Sequence, residues 1–316
     1  MNHQLLFSET WALMPERLNI IANIIRAQPT GQPTNVEMMA GMDAYQSDRA
    51  AKRSSKFMGA SAGAIAVLPL YGVFTQHGNM MSAISGAVSI QQFTHALRDA
   101  LADDTIGQIL IDLDSPGGSI FGVAELAAEI YNARTQKPIV AIANSLAASG
   151  AYWIGSAARE FYVTPGGEVG SIGVSMMHED WSKAMDKSGI KTTFVAAGKY
   201  KTEGNPYQPL DANARAFKQS RVDEYYAAFT KSVAKSRNVG IAAVRNGMGQ
   251  GRVLGSDRAI AEKMVDGIAT YDQVIKNMQR RAKVTRPVAS SSASVANTLK
   301  SAPRLALAQR ELQIIS

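Results

Sequence analysis

A serine that follows an apolar, β-favouring run is the first residue whose surroundings suit catalysis. Residues 139–143 predict a buried strand and the small residues 146–158 predict a helix, with a turn at Asn144-Ser145 between them. Ser149 would then lie in the first helical turn, where free backbone N–H groups can stabilise negative charge on a substrate oxygen. Ser149 is therefore a candidate nucleophile, although tight helix packing explains the small residues equally well.

A second small-residue segment, Asp114-Ser-Pro-Gly-Gly118, follows the apolar run Ile109–Leu113. Ligand sites of open α/β folds lie at the carboxyl ends of such strands, and glycine lets a backbone amide approach a substrate oxygen closely. A tight turn would explain this segment by itself. Because a similar segment occurs at Ser149-Gly150 one strand-helix unit later, the pair predicts an oxyanion hole made by the N–H groups of Gly118 and Gly150.

An attacking serine also needs a base, and the sequence offers two kinds. His178 falls at the end of a predicted strand, while Lys199 and Lys201 lie in a polar loop after a strand predicted at 192–196. A lysine base has to be neutral, so burial must lower the pKa of such a lysine from about 10.4 towards 7 or 8, which amounts to about 4 kcal/mol. Both lysines could instead be solvated surface residues, and the residue types leave the choice open.

The elements that must position these residues follow from alternating apolar and helix-forming segments. We expect strands at 65–74, 109–113, 139–143, 161–164, 170–177 and 192–196, and helices at 119–134, 179–187, 211–236, 241–245, 256–264 and from 272. A further helix should begin at the capping box Ser89-Ile-Gln-Gln92, and Pro69 should place its strand at a sheet edge or a bulge. The alternation predicts an α/β fold with β-α crossovers and a mostly helical part after Pro209.

Composition divides the chain into three predicted regions. Residues 1–63 form a helical arm and linker, with helices at 11–28 and 36–45, and residues 64–282 form the main domain. Residues 283–316 are rich in Ser and Ala and are predicted to be disordered, and the small residues 288–296 make self-cleavage there a further hypothesis.

Several classes of chemistry are excluded by composition. The 316 residues include no cysteine, which rules out disulfides and thiolate catalysis, and the four histidines show no metal-ligand spacing. We therefore predict no metal and no cofactor. The N-terminus lacks the pattern of a signal peptide, and no apolar run reaches the ~18 residues that span a bilayer, so the expected location is the bacterial cytoplasm.

The net charge of +7 belongs to the C-terminal end. Residues 276–316 carry eight Lys or Arg and one Glu, so residues 1–275 carry 33 − 8 = 25 positive and 26 − 1 = 25 negative charges. A basic tail could contact nucleic acid, but a solvated, mobile end is the simpler interpretation.

Four motifs, in order and at their spacings, resemble the signal peptide peptidase A family of Ser-Lys peptidases. They are Asp114-Ser-Pro-Gly-Gly118, Ser149-Gly-Ala-Tyr152, Gly170-Ser-Ile-Gly-Val174 and Gly198-Lys-Tyr-Lys-Thr-Glu-Gly-Asn-Pro-Tyr207. The resemblance extends from about Ile65 to Ile275. It is greatest to the phage and prophage branch, of the capsid-assembly protease type, without the membrane anchor of the bacterial members.

The resemblance implies roles that the residue types left open. Ser149 would be the nucleophile and Lys201 the general base, with the oxyanion donors at Gly118 and Gly150. Contacts to the substrate would come from Gly117, Ser171, Ile172 and Gly173.

The resemblance also implies an architecture and a substrate. The fold would be a Clp protease- or crotonase-like β-α spiral that assembles into rings, with serine and lysine of one site supplied by adjacent subunits. The expected function is endopeptidase processing of capsid-assembly proteins, either scaffold or portal, and immature phage heads are a further expected location. The alternatives are a general peptide- or signal-peptide-degrading peptidase, a version with His178 as the base, and a catalytically silent ring scaffold.

Overall fold

The computed structural model describes residues 10–19, 63–77 and 88–284. The helix predicted at 36–45 and the self-cleavage segment at 288–296 lie outside these ranges, as does most of the predicted arm and tail. Within them, no helix combines the length and apolar character needed to cross a membrane.

Strands and helices alternate along the described chain, which confirms the predicted α/β class. The strands are β1 (Trp11–Leu13), β2 (Ala64–Tyr71), β3 (Phe74–Thr75), β4 (Val88–Ser89), β5 (Ile106–Ser115), β6 (Gly117–Ser119), β7 (Ile139–Ala148), β8 (Glu160–Val163), β9 (Glu168–Gly170), β10 (Val253–Gly255) and β11 (Gly267–Ile268). The helices are α1 (Ile90–Ala102), α2 (Val123–Ala133), α3 (Gly150–Ser156), α4 (Ser182–Lys187), α5 (Ala212–Ser236), α6 (Ile241–Asn246), α7 (Ser256–Ala261) and α8 (Tyr271–Val284), with a 3₁₀ turn at Met248–Gly251.

A mainly parallel sheet forms the centre of the fold. Its strand order is β10-β9-β7-β5-β2, and β8 also pairs with β7 and carries β11 on its other side. Strands β2, β5, β7, β8 and β9 run parallel, whereas β10 is antiparallel to β9. Among the described strands β2 has β5 as its one partner in this sheet, so the edge position predicted from Pro69 is confirmed.

Both faces of this sheet are covered, which explains why its strands are almost continuously apolar. Successive side chains point to opposite faces, so Ile109 and Ile111 belong to the larger core with α1, α2 and α3, while Leu110 belongs to a second core. Val274 and Met278 of α8 close that second core.

A smaller sheet of order β1-β6-β3-β4 lies beyond the carboxyl end of β5. The chain passes from β5 through Pro116 directly into β6, which pairs antiparallel with β1 and parallel with β3. The predicted tight turn at residues 114–118 is thus wrong in part, because Gly117 and Gly118 belong to a strand.

The helix predicted at 11–28 is wrong at its start. Trp11–Leu13 is a strand, since β6 and Ser175 satisfy its backbone groups from two sides, and a helical turn begins only at Pro15. Proline favours the first helical position because its missing N–H has no intrahelical acceptor there.

The turn predicted at Asn144-Ser145 and the helix predicted from residue 146 are also wrong. Strand β7 runs through both residues to Ala148, and Ser145 has a φ of 113°. Because the last three residues of β7 pair with β9 instead of β8, the strand bends and continues beside a new partner.

Two other predicted strands do not form as predicted, because the described chain offers them little or no strand to pair with. Residues 192–196 are exposed and form no regular secondary structure, and they pair with no strand in the described part of the chain. The strand predicted at 170–177 reduces to the end of β9 and a single bridge at Ser175.

The predicted helix starts at Ser89 and Asp211 are confirmed by their hydrogen bonds. The Ser89 side chain accepts from the Gln92 N–H at 3.3 Å, and the Asp211 carboxylate accepts from the Ala214 N–H at 2.9 Å. Each cap satisfies a backbone donor that the first helical turn would leave without a partner.

Candidate active site

Ser149 occupies the junction between β7 and α3, as the residue immediately before the helix. Its N–H donates to the Gly170 carbonyl at 2.7 Å, and its own carbonyl accepts from the Trp153 N–H at 3.0 Å. These bonds hold the backbone at φ 55° and ψ −121°, a conformation that costs a non-glycine residue about 1–3 kcal/mol. Such strain persists only where the surrounding structure enforces it, which makes Ser149 a strong candidate for a functional residue.

Helix α3 is fixed by contacts on two sides, so the position of Ser149 is rigid. The indole of Trp153 stacks on Phe229 of α5 with ring centroids 4.5 Å apart. The Tyr152 hydroxyl donates to the Met264 carbonyl at 3.1 Å, and complete burial raises the pKa of this phenol.

The two glycine segments meet at Ser149, as the sequence predicts. A Cβ atom added to Gly117 would lie 3.1 Å from the Ser149 Cβ, and Gly117 itself has a φ of +101°. A Cβ on Gly118 would lie 2.1 Å from the Phe74 carbonyl oxygen, and one on Gly150 would lie 2.8 Å from the Phe74 ring. The bare backbones of β6 and α3 therefore line the space beside Ser149, with Phe74 beneath them.

The segment after β9 supplies another wall. The Ser149 hydroxyl donates to the Gly173 carbonyl at 3.4 Å, which is a long hydrogen bond. Ser171, with a φ of 52°, donates its N–H to the Arg252 carbonyl at 2.8 Å, and Ile172 is buried. The predicted substrate contacts Ser171, Ile172 and Gly173 thus lie on one ordered segment next to Ser149.

The Lys201 side chain is not hydrogen-bonded to Ser149 in the described part of the subunit. Lys201 is exposed in a turn where its N–H donates to the Gly198 carbonyl at 3.1 Å. The loop is nevertheless ordered, since the Asn205 side chain donates to the Thr202 carbonyl and accepts from the Tyr207 N–H, both at 2.9 Å.

The other two candidate bases also lie away from the hydroxyl. The Lys199 ammonium lies 4.9 Å from the centre of the Tyr200 ring. The Nε2 atom of His178 is buried without a hydrogen-bond partner in the described structure, and His178 makes no hydrogen bond with Ser149 there. The subunit therefore presents a candidate nucleophile and two glycine-rich walls, but among the residues described no candidate base makes a hydrogen bond with the Ser149 hydroxyl.

Strand β1 is the part of the site that sequence reasoning missed. Its Ala12 carbonyl oxygen would lie 2.2 Å from a Cβ on Gly117 and 3.4 Å from one on Gly150. The apolar residues after Trp11 have helical spacing, so the sequence predicts a helix where β1 lies. The only sequence signal for a different structure before the helix was Pro15, because proline is typical of the first position of a helix.

Comparisons with known proteins agree with this geometry. Residues 132–285 match the profile of peptidase family S49. The head-tail preconnector protein GP5 of Enterobacteria phage P21 is 34% identical over 180 residues, which are 57% of this chain and 36% of the relative. Capsid assembly protease C of Escherichia phage lambda is 33% identical over 180 residues, 57% of this chain and 41% of the relative.

A bacterial relative is more distant. Protease 4 of Haemophilus influenzae is 27% identical over 201 residues, 63% of this chain and 32% of the relative. The chain thus spans less than half the length of each of these three relatives. Residues 132–285 thus match an S49 peptidase domain, and the resemblance to signal peptide peptidase A-like peptidases seen in the sequence is confirmed.

Proposed function

We propose that this chain is a serine endopeptidase in which Ser149 is the nucleophile and Lys201 the general base. The observation that carries the proposal is the strained backbone of Ser149, held beside the bare amides of β6 and α3. Residues 64–282 are the proposed peptidase domain, and Gly117 with residues 171–173 are its proposed substrate contacts. Neither a metal nor a cofactor takes part in the proposed mechanism.

The proposed reaction has two halves. Neutral Lys201 takes the proton of the Ser149 hydroxyl as its oxygen attacks the scissile carbonyl carbon, and the N–H groups of Gly118 and Gly150 bind the resulting oxyanion. Collapse breaks the C–N bond, and the Lys201 ammonium gives its proton to the leaving amine. Water then attacks the ester on Ser149, giving one proton to Lys201, and the released serine oxygen takes that proton back.

The base is proposed to come from a neighbouring subunit of a homo-oligomeric ring. Two features support this: Lys201 lies on an exposed loop, and the irregular segment before it displays apolar side chains to solvent. Ile190, Phe194 and Val195 are 54%, 41% and 99% exposed. Neighbouring exposed apolar residues are typical of an interface, and burial there would favour the neutral amine that a lysine base needs.

Labelling by a fluorophosphonate probe tests the nucleophile and the base. Wild type should be labelled, Ser149→Ala should not, and Lys201→Ala should react about 10²–10⁴-fold more slowly, because the proton acceptor is lost. Lys199→Ala is the matched control, since the same charge is removed two residues away. If Lys201→Ala is labelled at the full rate and His178→Ala is not labelled, His178 is the general base instead of Lys201. An unreactive wild type would favour the catalytically silent ring scaffold.

Subunit mixing tests whether the site is shared. Ser149→Ala and Lys201→Ala proteins, each inactive, should recover part of the activity when co-assembled, because some interfaces then combine an intact serine with an intact lysine. No recovery in particles shown by mass spectrometry to contain both subunits would contradict a shared site.

The proposed substrates are capsid-assembly proteins, either scaffold or portal. The names of the two phage relatives, a head-tail preconnector protein and a capsid assembly protease, support this class. Co-expression with the capsid, scaffold and portal proteins of the same phage genome should give new fragments with wild type and none with Ser149→Ala. If an unrelated unfolded protein is cut equally well, the general peptide-degrading alternative is the better description.

A further inference from the structure

Strand β1 is inserted between two walls of the candidate active site. On one side Trp11, Ala12 and Leu13 pair antiparallel with Ser119, Gly118 and Gly117. On the other side the Trp11 N–H donates to the Ser175 carbonyl at 2.9 Å and the Ser175 N–H donates to the Trp11 carbonyl at 3.0 Å. An extended segment that is hydrogen-bonded along both edges lies as a peptide substrate does when it adds a strand to its enzyme.

The register of this pairing places one particular carbonyl at the candidate oxyanion donors. The Ile120 N–H donates to the Thr10 carbonyl at 3.2 Å, and the Met14 N–H donates to the Pro116 carbonyl at 3.1 Å. Hydrogen-bonded pairs alternate along an antiparallel ladder, so Ala12 and Gly118, midway between these two pairs, exchange hydrogen bonds. The Gly118 N–H therefore points at the Ala12 carbonyl.

Other contacts agree with this register. The Ala12 carbonyl oxygen lies 3.4 Å from the point where a Cβ on Gly150 would be, so it lies close to the second proposed donor residue as well. Ala12 is fully buried and Ser149 is 1% exposed, so a substrate or probe reaches the hydroxyl only in molecules from which β1 has transiently left.

We propose that residues 10–14 are a built-in occupant of the substrate groove, bound in the direction and register of a peptide substrate, and that they block Ser149 until they are displaced. This inference rests on the proposed function. The occupant is held rather than cut because no nitrogen base lies in hydrogen-bond contact with Ser149 in the described part of the subunit.

The segment is attached in a way that allows release without unfolding. Trp11 and Leu13 pack with Leu18 in a small cluster separate from the two large cores, with Val73 and Met177 at its margin. Removing β1 would expose that cluster, one edge of β6 and the part of the larger core that Ala12 covers, while β6 would keep its pairing with β3.

The same register predicts a preference of the groove. Ala12 is fully buried in the larger core, which also contains Phe74, so the site that holds its methyl group accepts a small side chain. We therefore expect substrates with alanine or glycine on the amino-terminal side of the scissile bond.

A disulfide across the ladder tests the inference in the full chain. Trp11 and Ser119 face each other and, by the alternation above, form a non-hydrogen-bonded pair, whose Cα atoms lie about 4.5 Å apart, within the range that a disulfide spans. The chain has no cysteine of its own, so Trp11→Cys/Ser119→Cys yields one defined bond. Oxidation locks β1 in the groove, whereas reduction leaves it weakly held because the tryptophan is gone.

Two readouts separate this inference from the proposed function. One is the rate of fluorophosphonate labelling, which we expect to rise at least tenfold on reduction. The other needs no catalysis: in the Ser149→Ala background, a fluorescent peptide with the sequence of residues 9–17 should bind the reduced double variant at least tenfold more tightly than the oxidised one. Trp11→Cys alone is the control, which should respond to neither oxidant nor reductant.

The outcomes are distinct. Equal peptide binding by oxidised and reduced protein, with the disulfide verified by mass spectrometry, overturns the inference. Binding that depends on the lock without any labelling of Ser149 supports the occupied groove and contradicts the peptidase. If Ser149 is labelled equally fast in the oxidised and the reduced protein, the proposed peptidase function stands and the inference that β1 blocks the groove is wrong.

Discussion

Replacing Gly118 by alanine should remove one oxyanion donor while leaving the nucleophile in place. A Cβ at this position would lie 2.1 Å from the Phe74 carbonyl oxygen, whereas ordinary contacts begin near 3.4 Å, so β6 has to move by 3.4 − 2.1 = 1.3 Å or tilt by an equivalent amount. A shift of that size takes the N–H out of hydrogen-bonding distance of an oxyanion.

The expected loss follows from what one such donor contributes. Removing a single oxyanion donor lowers kcat about 10²–10³-fold, equivalent to about 2.7–4 kcal/mol of transition-state stabilisation. We expect the second-order rate of fluorophosphonate labelling to fall by that factor. Because Gly118 also pairs with Ala12, the rate should be measured a second time in the reduced Trp11→Cys background, where β1 is weakly held.

Gly166→Ala is the matched control. No atom lies within 4 Å of a Cβ built at Gly166, so the same chemical change should leave the labelling rate within about twofold and the melting temperature nearly unchanged. A folded Gly118→Ala protein that is labelled as fast as Gly166→Ala would refute the assignment of the Gly118 amide to the oxyanion hole.

Three further substitutions test how the fold supports the site. Phe229→Ala removes the fully buried ring stacked on Trp153 and should lower the free energy of unfolding by about 3–5 kcal/mol in urea titrations, with slower labelling of the remaining folded protein. Asp211→Ala removes the cap of α5 and should cost about 1 kcal/mol by the same measurement. Burial opposes the ionisation of Glu160, but the hydrogen bond from Arg281 holds its pKa below 4.5, so ionised Glu160 stabilises the fold above that pH. The difference in unfolding free energy between wild type and Glu160→Gln should therefore be constant at neutral pH and shrink as the pH falls below 4.5, and a difference independent of pH would contradict it.

Local chemistry was sufficient to predict the centre of the fold and the candidate nucleophile. The apolar runs of β5 and β7 are buried on both faces, so their composition alone identifies them as central parallel strands. Ser149 and the two glycine segments were found because each requires a particular residue type: a hydroxyl, or a backbone without a side chain.

The wrong secondary-structure predictions share one physical cause, which is the presence or absence of pairing with strands that lie far away in the sequence. Strand β1 exists because β6, more than 100 residues away, offers its backbone an open edge, and nothing near Trp11 in the sequence encodes that partner. Strand β7 continues past Ser145 because β9 replaces β8 as its neighbour, which is again a tertiary effect. Residues 192–196 carry strand-forming side chains, but the described part of the subunit offers them no partner strand. The sequence pattern therefore predicts a strand that does not form there.

The site needs two changes before it can act: a base has to reach Ser149, and β1 has to leave the groove. These two events differ in kinetic order. Delivery of Lys201 from a neighbouring subunit requires association, so its contribution to activity should rise with protein concentration. Release of β1 is a rearrangement within one chain, so its rate should not depend on concentration. After dilution of a concentrated sample, labelling should therefore decline as subunits separate, and the locked double variant should stay unreactive at every concentration until reductant is added. If concentration alone activates the locked protein, Ser149 would be reachable with β1 in place, and the inference that β1 blocks it would be wrong.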